Sequence, residues 1–267
     1  MCFLEGMLLL FSLVTSGAIT YFISYSNNNY YFLFLNLIFI PVFYILYLAI
    51  YCLYIVIITK NKKGDKYSKY FDHVVMNIDV ILLRLLKIKV VVTNKEIMPK
   101  DEKCLIVANH CSNFDPLVLI RTLSSPLSCV TKPETFKFPF VGNLIKACGY
   151  IPINRDDPRE GAKAIFKAKD LLKNEIANVL IFPEGTRNKT DNTLLEMHPG
   201  SFKPAKVSGK KVVVCSVKGT KHLKFKLFGK RQKVFVDFIK VLDSNEYEST
   251  VQMKDESYNL IYNNLIK

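Results

Sequence analysis

The chain is 267 residues long and carries 37 Lys or Arg against 23 Asp or Glu, a formal net charge of +14, yet its mean hydropathy is positive at +0.17. That length holds one catalytic domain of ordinary size plus an appendage and is too short for two large domains. A basic excess on so apolar a chain argues for a membrane rather than a nucleic acid: no zinc-finger spacing or RNA-recognition signature accompanies the charge, and no nucleic-acid partner is expected.

The predicted elements begin with a membrane anchor. From Gly6 to Thr59 there is no Asp, Glu, Lys or Arg, which leaves room for two spanning helices of about 20 residues each, with Ser26-Asn27-Asn28-Asn29 as the turn. The first span, from Met7 to Tyr25, is interrupted by Ser12, Thr15, Ser16, Gly17 and Thr20. The second, from Tyr30 to Thr59, is richer in Leu, Ile and Phe but contains Pro41, and a single crossing stays open beside two. Glu5 without a preceding Lys or Arg, and the second apolar stretch that follows at once, disfavour a secretory signal. The basic stretch that follows, Lys60 to Lys66, places the remainder on the cytoplasmic side. Residues 1–59 are therefore read as an N-terminal transmembrane helical hairpin. Residues 60–89 are read as a basic linker and amphipathic helix, because Phe71, Val74, Val75, Ile78, Ile81, Leu82, Leu85 and Leu86 recur at helical spacing between Tyr67 and Val92. That face packs on the catalytic domain or lies on the bilayer.

Residues 90–267 alternate between strand and helix patterns. Short apolar runs suited to buried strands occur at 105–108, 129–131, 179–182, 212–215 and 234–236, and helices are expected in the gaps. The clearest helix is Pro158 to Lys173, with Ala162, Ile165, Phe166 and Leu172 on one side and Lys169 breaking the apolar stripe. The seven cysteines show no C-x-x-C pair and no histidine at ligand spacing, so they read as dispersed thiols of a reducing compartment and no metal site is expected. Nothing marks Cys111 as an activated nucleophile.

The sharpest signal is Asn109-His110-Cys111-Ser112-Asn113-Phe114-Asp115, a histidine five positions before an aspartate and just past a strand pattern. On a regular helix five residues advance by about 500°, so the two side chains cannot share a face. They meet if His110 sits on the strand-to-helix loop and Asp115 opens the helix, where the following Pro116 suits a first helical position. Asp115 then fixes one imidazole nitrogen and leaves the other to take a proton from a substrate hydroxyl. Alone, the spacing is weak, since such residues are common at strand ends and helix starts. Three more segments accompany it. Phe182-Pro183-Glu184-Gly185-Thr186-Arg187 puts a carboxylate, a glycine, a hydroxyl and a guanidinium into one turn after a strand. Gly149-Tyr150-Ile151-Pro152-Ile153-Asn154-Arg155 supplies a second arginine, and two arginines suit bidentate phosphate contacts. His198 to Ala205 reads as a glycine-centred turn leading to the next strand.

Together these segments resemble the glycerolipid acyltransferase family, most closely its lysophosphatidic acid (1-acyl-sn-glycerol-3-phosphate) acyltransferases, over roughly residues 90–241. The resemblance implies a glycerol-3-phosphate acyltransferase-like mixed α/β sheet flanked by helices. It also implies His110 as general base with Asp115 as its partner, and an acceptor-binding set of Gly149, Arg155, Glu184, Gly185, Thr186 and Arg187, joined by Lys132 from Thr131-Lys132-Pro133-Glu134. It implies acyl-acyl carrier protein or acyl-CoA as donor, lysophosphatidic acid as acceptor, membrane lipids as the setting, and no cofactor. One departure stands out: where the family has proline in its fourth block, this chain reads Val212-Val213-Val214-Cys215-Ser216-Val217. The expected reaction makes phosphatidic acid for phospholipid biosynthesis. Alternative acceptors are another lysophospholipid, a lyso-aminolipid or glycerol 3-phosphate. The alternatives of other classes are a membrane-bound lipid hydrolase, although no G-x-S-x-G elbow is present, and a non-catalytic lipid-binding or scaffold protein. Finally, Lys203 to Lys240 holds twelve Lys or Arg and one acid, Asp237, a run read as solvated surface or as a docking face for anionic lipid or an acidic carrier protein.

Overall fold

The computed structural model describes residues 3–266 except 28, 63, 65, 124–125, 155–156, 191–192 and 225–228. It forms two compact units, 1–62 and 63–267.

The first unit is an antiparallel pair of long helices, α1 (Phe3–Ser26) and α2 (Asn36–Thr59), joined through a 3-10 turn over Tyr30–Leu35 that Asn29 caps. The connection is therefore longer than the four-residue turn expected, and the second helix starts six residues beyond Tyr30. Ser12, Ser16, Thr20 and Ser24 recur every fourth residue on α1 and are all buried. Ser16 Oγ donates to Asn36 Oδ1, and Asn36 Nδ2 donates to Thr20 Oγ1 at 2.9 Å. Meanwhile Phe22, Leu37, Ile45 and Ile57 point outward and are exposed. Small polar groups inside and large apolar ones outside is the inverse of a water-soluble hairpin and suits helices packing in lipid, where close backbone approach and interhelical hydrogen bonds replace the hydrophobic drive. Among the described residues these are the two helices long and apolar enough to cross a membrane.

The second unit opens with α3 (Lys69–Leu85), capped by Ser68, whose hydroxyl accepts from Phe71 N. Its apolar face is buried in the unit at Phe71, Val74, Val75 and Ile81, the packing alternative rather than a bilayer face. Asp79 shares that face, and burial pushes its carboxyl up to about 8, so it sits there mainly as the neutral acid at pH 7. The helix stops at Leu85, short of the Val92 that its periodicity allows. Lys87 turns the chain with φ of 53°, and residues 88–93 are strand β1. The β-branched run Val90-Val91-Val92 is the physical reason, since it packs better on a pleated sheet than on a helix.

The remaining elements are β2 (Leu105–Ala108), α4 (Asp115–Leu123), β3 (Leu127–Thr131), α5 (Val141–Cys148), β4 (Ile151–Pro152), α6 (Pro158–Lys173), β5 (Asn178–Ile181), α7 (Lys203–Ser208), β6 (Val212–Lys218), β7 (Gln232–Leu242) and α8 (Thr250–Leu265). They build a seven-stranded mixed sheet of order β1-β7-β6-β2-β5-β3-β4, in which β6 and β7 alone are antiparallel neighbours. No helix fills the gap between those two strands; the described chain there is a turn. Conversely, part of the segment from His198 to Ala205 is helical, a 3-10 turn over Pro199–Phe202 running into α7. One face of the sheet, including Leu105, Val107, Val179, Ile181, Val212 and Val214, packs with Ala164, Ala168, Leu172, Phe202 and Met253 of the covering helices. The alternate residues Ile106, Leu180 and Val213 are equally buried on the other face. Helix α6 runs over the predicted residues, but its buried stripe is Ala164-Ala168-Leu172, while Phe166 is 60% exposed with Lys169 Nζ 3.8 Å from its ring centre. Small alanines let the helix approach the sheet closely, and the bulky ring is left outside.

Gly149 ends α5 in the left-handed conformation, φ +88°, and a Cβ there would lie 2.7 Å from Tyr67 Cα. The linker is strapped down at this point: Ser68 N donates to Cys148 O at 3.2 Å and Leu127 N donates to Tyr67 Oη at 3.2 Å. Gly149→Ala is expected to destabilise the catalytic unit by about 1–3 kcal/mol, measured as a lower melting temperature in detergent, without changing acceptor KM. An unchanged melting temperature with a raised KM would instead assign this glycine to substrate binding.

Candidate active site

Strands β6, β2 and β5 are parallel neighbours, so the loops that follow them leave the sheet at the same edge, the usual place for ligands in an open α/β sheet. The loop after β2 carries His110, the loop after β5 carries Glu184 to Arg187, and the turn after β6 carries Thr220.

Asp115 is the first residue of α4 and is fully buried. Its Oδ2 accepts from His110 Nδ1 at 2.8 Å, from Cys111 N at 2.6 Å and from Ser112 N at 2.7 Å. Its Oδ1 accepts from Thr220 Oγ1 at 2.5 Å. With two backbone N–H groups already donating to Oδ2, that oxygen faces His110 as an acceptor, so Nδ1 carries the hydrogen and Nε2 presents the lone pair. The imidazole is fixed from a second side by Phe182, whose ring stacks on it with centroids 4.2 Å apart and planes 19° apart. The His110 side chain remains 18% exposed, enough for Nε2 to meet a substrate. Such a pair can take a proton from a hydroxyl placed against it.

The main chain around His110 is braced as firmly as the ring. Glu184, 3% exposed, accepts from His110 N at 2.6 Å through one oxygen and from Leu195 N at 3.0 Å through the other. Burial pushes its carboxyl up to about 7, against the pull of those two N–H groups, with the Asp115 charge adding to the rise. Asn188 N donates to His110 O at 2.7 Å. Asn109 forms a two-bond amide clasp on β6, donating to Val217 O at 2.9 Å and accepting from Val217 N at 2.8 Å. Arg187 Nη1 donates to Asn113 Oδ1 at 2.8 Å, which brings the guanidinium to the rim of the histidine loop. Cys111 is half-buried, and burial followed by the Asp115 charge pushes its thiol up to about 11; it is no thiolate nucleophile at neutral pH.

Gly185, at φ +74°, and Thr186 line a cleft of about 500 Å³ together with Glu184, Ile153, Ile165 and His198. Its walls are largely apolar. The predicted site residues thus divide. His110, Asp115, Glu184, Gly185, Thr186 and Arg187 come together at one sheet edge. Lys132 is exposed just past the end of β3. Gly149 is at the end of α5 beside the linker, and Arg155 lies outside the described residues. Thr220 and Asn188 were not identified from the sequence; both are ordinary polar residues whose partners lie over 70 positions away. Among the described residues no group of three or more His, Cys, Asp or Glu is arranged to hold a metal ion.

The region that carries these residues is similar to known proteins. The family model described as Acyltransferase matches residues 89–218. The 1-acyl-sn-glycerol-3-phosphate acyltransferase of Borreliella burgdorferi is 33% identical over 173 residues, 63% of this chain and 68% of that protein. The chloroplastic 1-acyl-sn-glycerol-3-phosphate acyltransferase BAT2 of Brassica napus is 30% identical over 157 residues, 58% of this chain and 45% of its own length. The crystal structure of the 1-acyl-sn-glycerophosphate (LPA) acyltransferase PlsC from Thermotoga maritima superposes with a TM-score of 0.61 at 25% identity, covering 74% of this chain and 79% of that one. With a family model laid over the strands that carry His110 and Glu184, and a relative one third identical across two thirds of its own length, this chain belongs to the acyltransferase family.

Proposed function

We propose that the chain transfers a fatty acyl group from a thioester donor, acyl-acyl carrier protein or acyl-CoA, to the free hydroxyl of lysophosphatidic acid, forming phosphatidic acid at a membrane to which residues 1–59 hold it. The observation that carries this reading is the His110 Nδ1 to Asp115 Oδ2 contact of 2.8 Å, which leaves Nε2 as a base. In this mechanism Nε2 removes the hydroxyl proton as the oxygen attacks the thioester carbonyl. The tetrahedral intermediate collapses with departure of the thiolate, and the imidazolium, stabilised by the Asp115 charge, returns the proton to sulfur. Holding the acceptor against the donor supplies much of the rate through lost translational freedom already removed in binding. The apolar cleft beside Glu184 accommodates an acyl chain, and Arg187 at the rim reads the acceptor phosphate with the edge of its guanidinium not bonded to Asn113. Lys132 and Arg155 are the further candidates for that phosphate. The relatives named for 1-acyl-sn-glycerol-3-phosphate support this acceptor over the other lysolipids.

The decisive assay is product analysis with the purified full chain, labelled thioester and a panel of lysolipids, which separates transfer from hydrolysis. His110→Ala is expected to lower kcat by about 10³-fold or more, and Asp115→Asn by a comparable order, because the amide offers no charge to the imidazolium and can select the wrong tautomer. Near-normal turnover by a folded His110→Ala protein would end the general-base mechanism.

Glu184 adds a pH signature. Its ionised form accepts both backbone N–H groups, and with its carboxyl raised to about 7 that form is lost as pH falls through neutrality. Wild-type kcat/KM should therefore carry an acid-side fall to which this carboxyl contributes about one proton. Glu184→Gln should lower the plateau roughly tenfold, since one of the two N–H groups is left facing an amide donor, and should make the acid-side fall shallower by about one proton. An acid-side slope unchanged in Glu184→Gln would remove Glu184 from the pH response.

Arg187→Lys keeps the charge and loses the planar fork. Acceptor KM should rise roughly tenfold while donor KM stays within a factor of about two, a split to be read from steady-state kinetics with each substrate varied in turn.

A further inference from the structure

The basic run from Lys203 to Lys240 separates into two groups once its contacts are known. Lys210 pairs with Glu175 and Glu102, Lys211 with Glu102 at 2.8 Å, and Lys240 with Glu256 at 2.8 Å. Lys206 is bonded to the carbonyls of Ser244 and Tyr247, and Lys218 to that of Asn264. These lysines hold the fold together. Of the others, Lys203 opens α7, Lys226 lies outside the described residues, and Lys221, Lys224, Lys230, Arg231 and Lys233 lie between β6 and β7 or at the start of β7. Lys224, Lys230, Arg231, Lys233 and, from β1, Lys89 have no acidic partner among the described residues.

Their position follows from the topology. Strand β7 runs back against β6, and β1 is parallel to β7 with Lys89 opposite Lys233 and Val91 opposite Phe235. The starts of β1 and β7 and the turn before β7 therefore all lie at the edge of the sheet that carries His110. Helix α8 covers this face as far as Asn264, which bonds Ser216 and Asp237. Beyond it Lys89 and Lys233 stand in solvent as cross-strand partners, and Phe235, two residues further along β7, is 46% exposed. At the base of the turn Thr220 donates to Asp115, so the basic element and the histidine–aspartate pair share a hydrogen bond.

We propose that this patch, five cations and an exposed aromatic ring at one edge of the sheet, docks on the headgroups of an anionic phospholipid surface, giving the catalytic edge a membrane contact of its own in addition to the two apolar helices. Charge complementarity brings the lysines to the headgroup layer, and the Phe235 ring leaves water for the apolar layer beneath. An acidic carrier protein would satisfy the cations but would leave the ring without an apolar partner. Thr220, between this patch and the site, bonds Asp115, so lipid charge raises turnover as well as attachment. The inference rests on the membrane-bound reading given above.

The chain contains no tryptophan, so Phe235→Trp introduces a single fluorescent reporter. The full-length protein is placed in nanodiscs of phosphatidylcholine alone or mixed with phosphatidylglycerol, and co-elution with the discs tests the anchor independently of the patch. In the mixed discs the indole emission is expected to shift to shorter wavelength and to be quenched by lipid carrying brominated chains. Both effects should vanish in about 1 M salt, where the Debye length is roughly 3 Å. A second measurement needs no reporter. With acyl-CoA as donor, kcat/KM of the wild type should rise roughly fivefold or more in the mixed discs, and the combined Lys224→Gln, Lys230→Gln, Arg231→Gln and Lys233→Gln variant should lose that rise while keeping wild-type activity in phosphatidylcholine. Three outcomes overturn the proposal: an indole that stays open to aqueous iodide in anionic discs, a variant that responds to phosphatidylglycerol as the wild type does, or a variant impaired with acyl-acyl carrier protein alone, which would assign the patch to the carrier. Failure to co-elute with any disc would instead overturn the membrane-bound reading.

Discussion

A carboxylate with no solvent exposure has to find all of its hydrogen bonds inside the protein, and the organisation of the catalytic edge follows from how Asp115 does so. Four donors from two places in the chain converge on it: the His110 ring with the main chain of Cys111 and Ser112, and the Thr220 hydroxyl. Leaving such an anion short of one partner costs several kcal/mol, so the loop after β2 and the turn after β6 are fixed by the same requirement. The charge thus orients the imidazole, closes its own loop and joins the β6–β7 turn to the reacting group. Preorganisation of this kind is what allows a histidine to act without reorganising the site at the moment of reaction.

Around that centre the polar residues act mainly on main chain. Asn109 extends the hydrogen bonding of β6 past the end of β2, Glu184 ties the histidine loop to the segment at Leu195, and the backbone N–H of Asn188 donates to the His110 carbonyl. Residues that in the sequence look like a substrate-binding cluster are, in part, the supports of the loop that carries His110. The two arrangements are compatible, since Glu184 and its neighbours also border the apolar cleft.

How much of this could be read from the sequence depended on whether the controlling interactions were local. The His110 and Asp115 contact was legible because loop and helix start are five residues apart, and the helical angle alone rules out the one competing geometry. The buried strands were legible as apolar runs and Pro158 to Lys173 as a helix, which Asp157 caps in the structure. The edge strand β1 was absorbed into the preceding helix because Leu85, Leu86, Ile88 and Val90 satisfy both periods, and the decision rests on pairing with β7, 144 residues away by the register of Ile88 with Gln232. The face of α6 was misplaced because Ala164 and Ala168 carry little hydrophobic signal yet lie deepest, while Phe166 carries much and lies outside. The basic run looked uniform because its partners, Glu102, Glu175 and Glu256, are contributed by distant segments. Gly149 illustrates the same limit: a glycine within a motif block turned out to be needed where the linker crosses it.

The order of strands in the sheet also bears on the order of events during synthesis. Strand β1 is the first of the catalytic unit to leave the ribosome, and its partner β7 is the last strand made. Until β7 emerges, the Val90-Val91-Val92 edge stays unpaired, and both β6 and the turn that supplies Thr220 lack the strand that completes them. Such long-range pairing is slow to form and exposes strand edges in the meantime. In a chain built this way the hydrogen bond from Thr220 to Asp115 is among the last features of the molecule to be put in place.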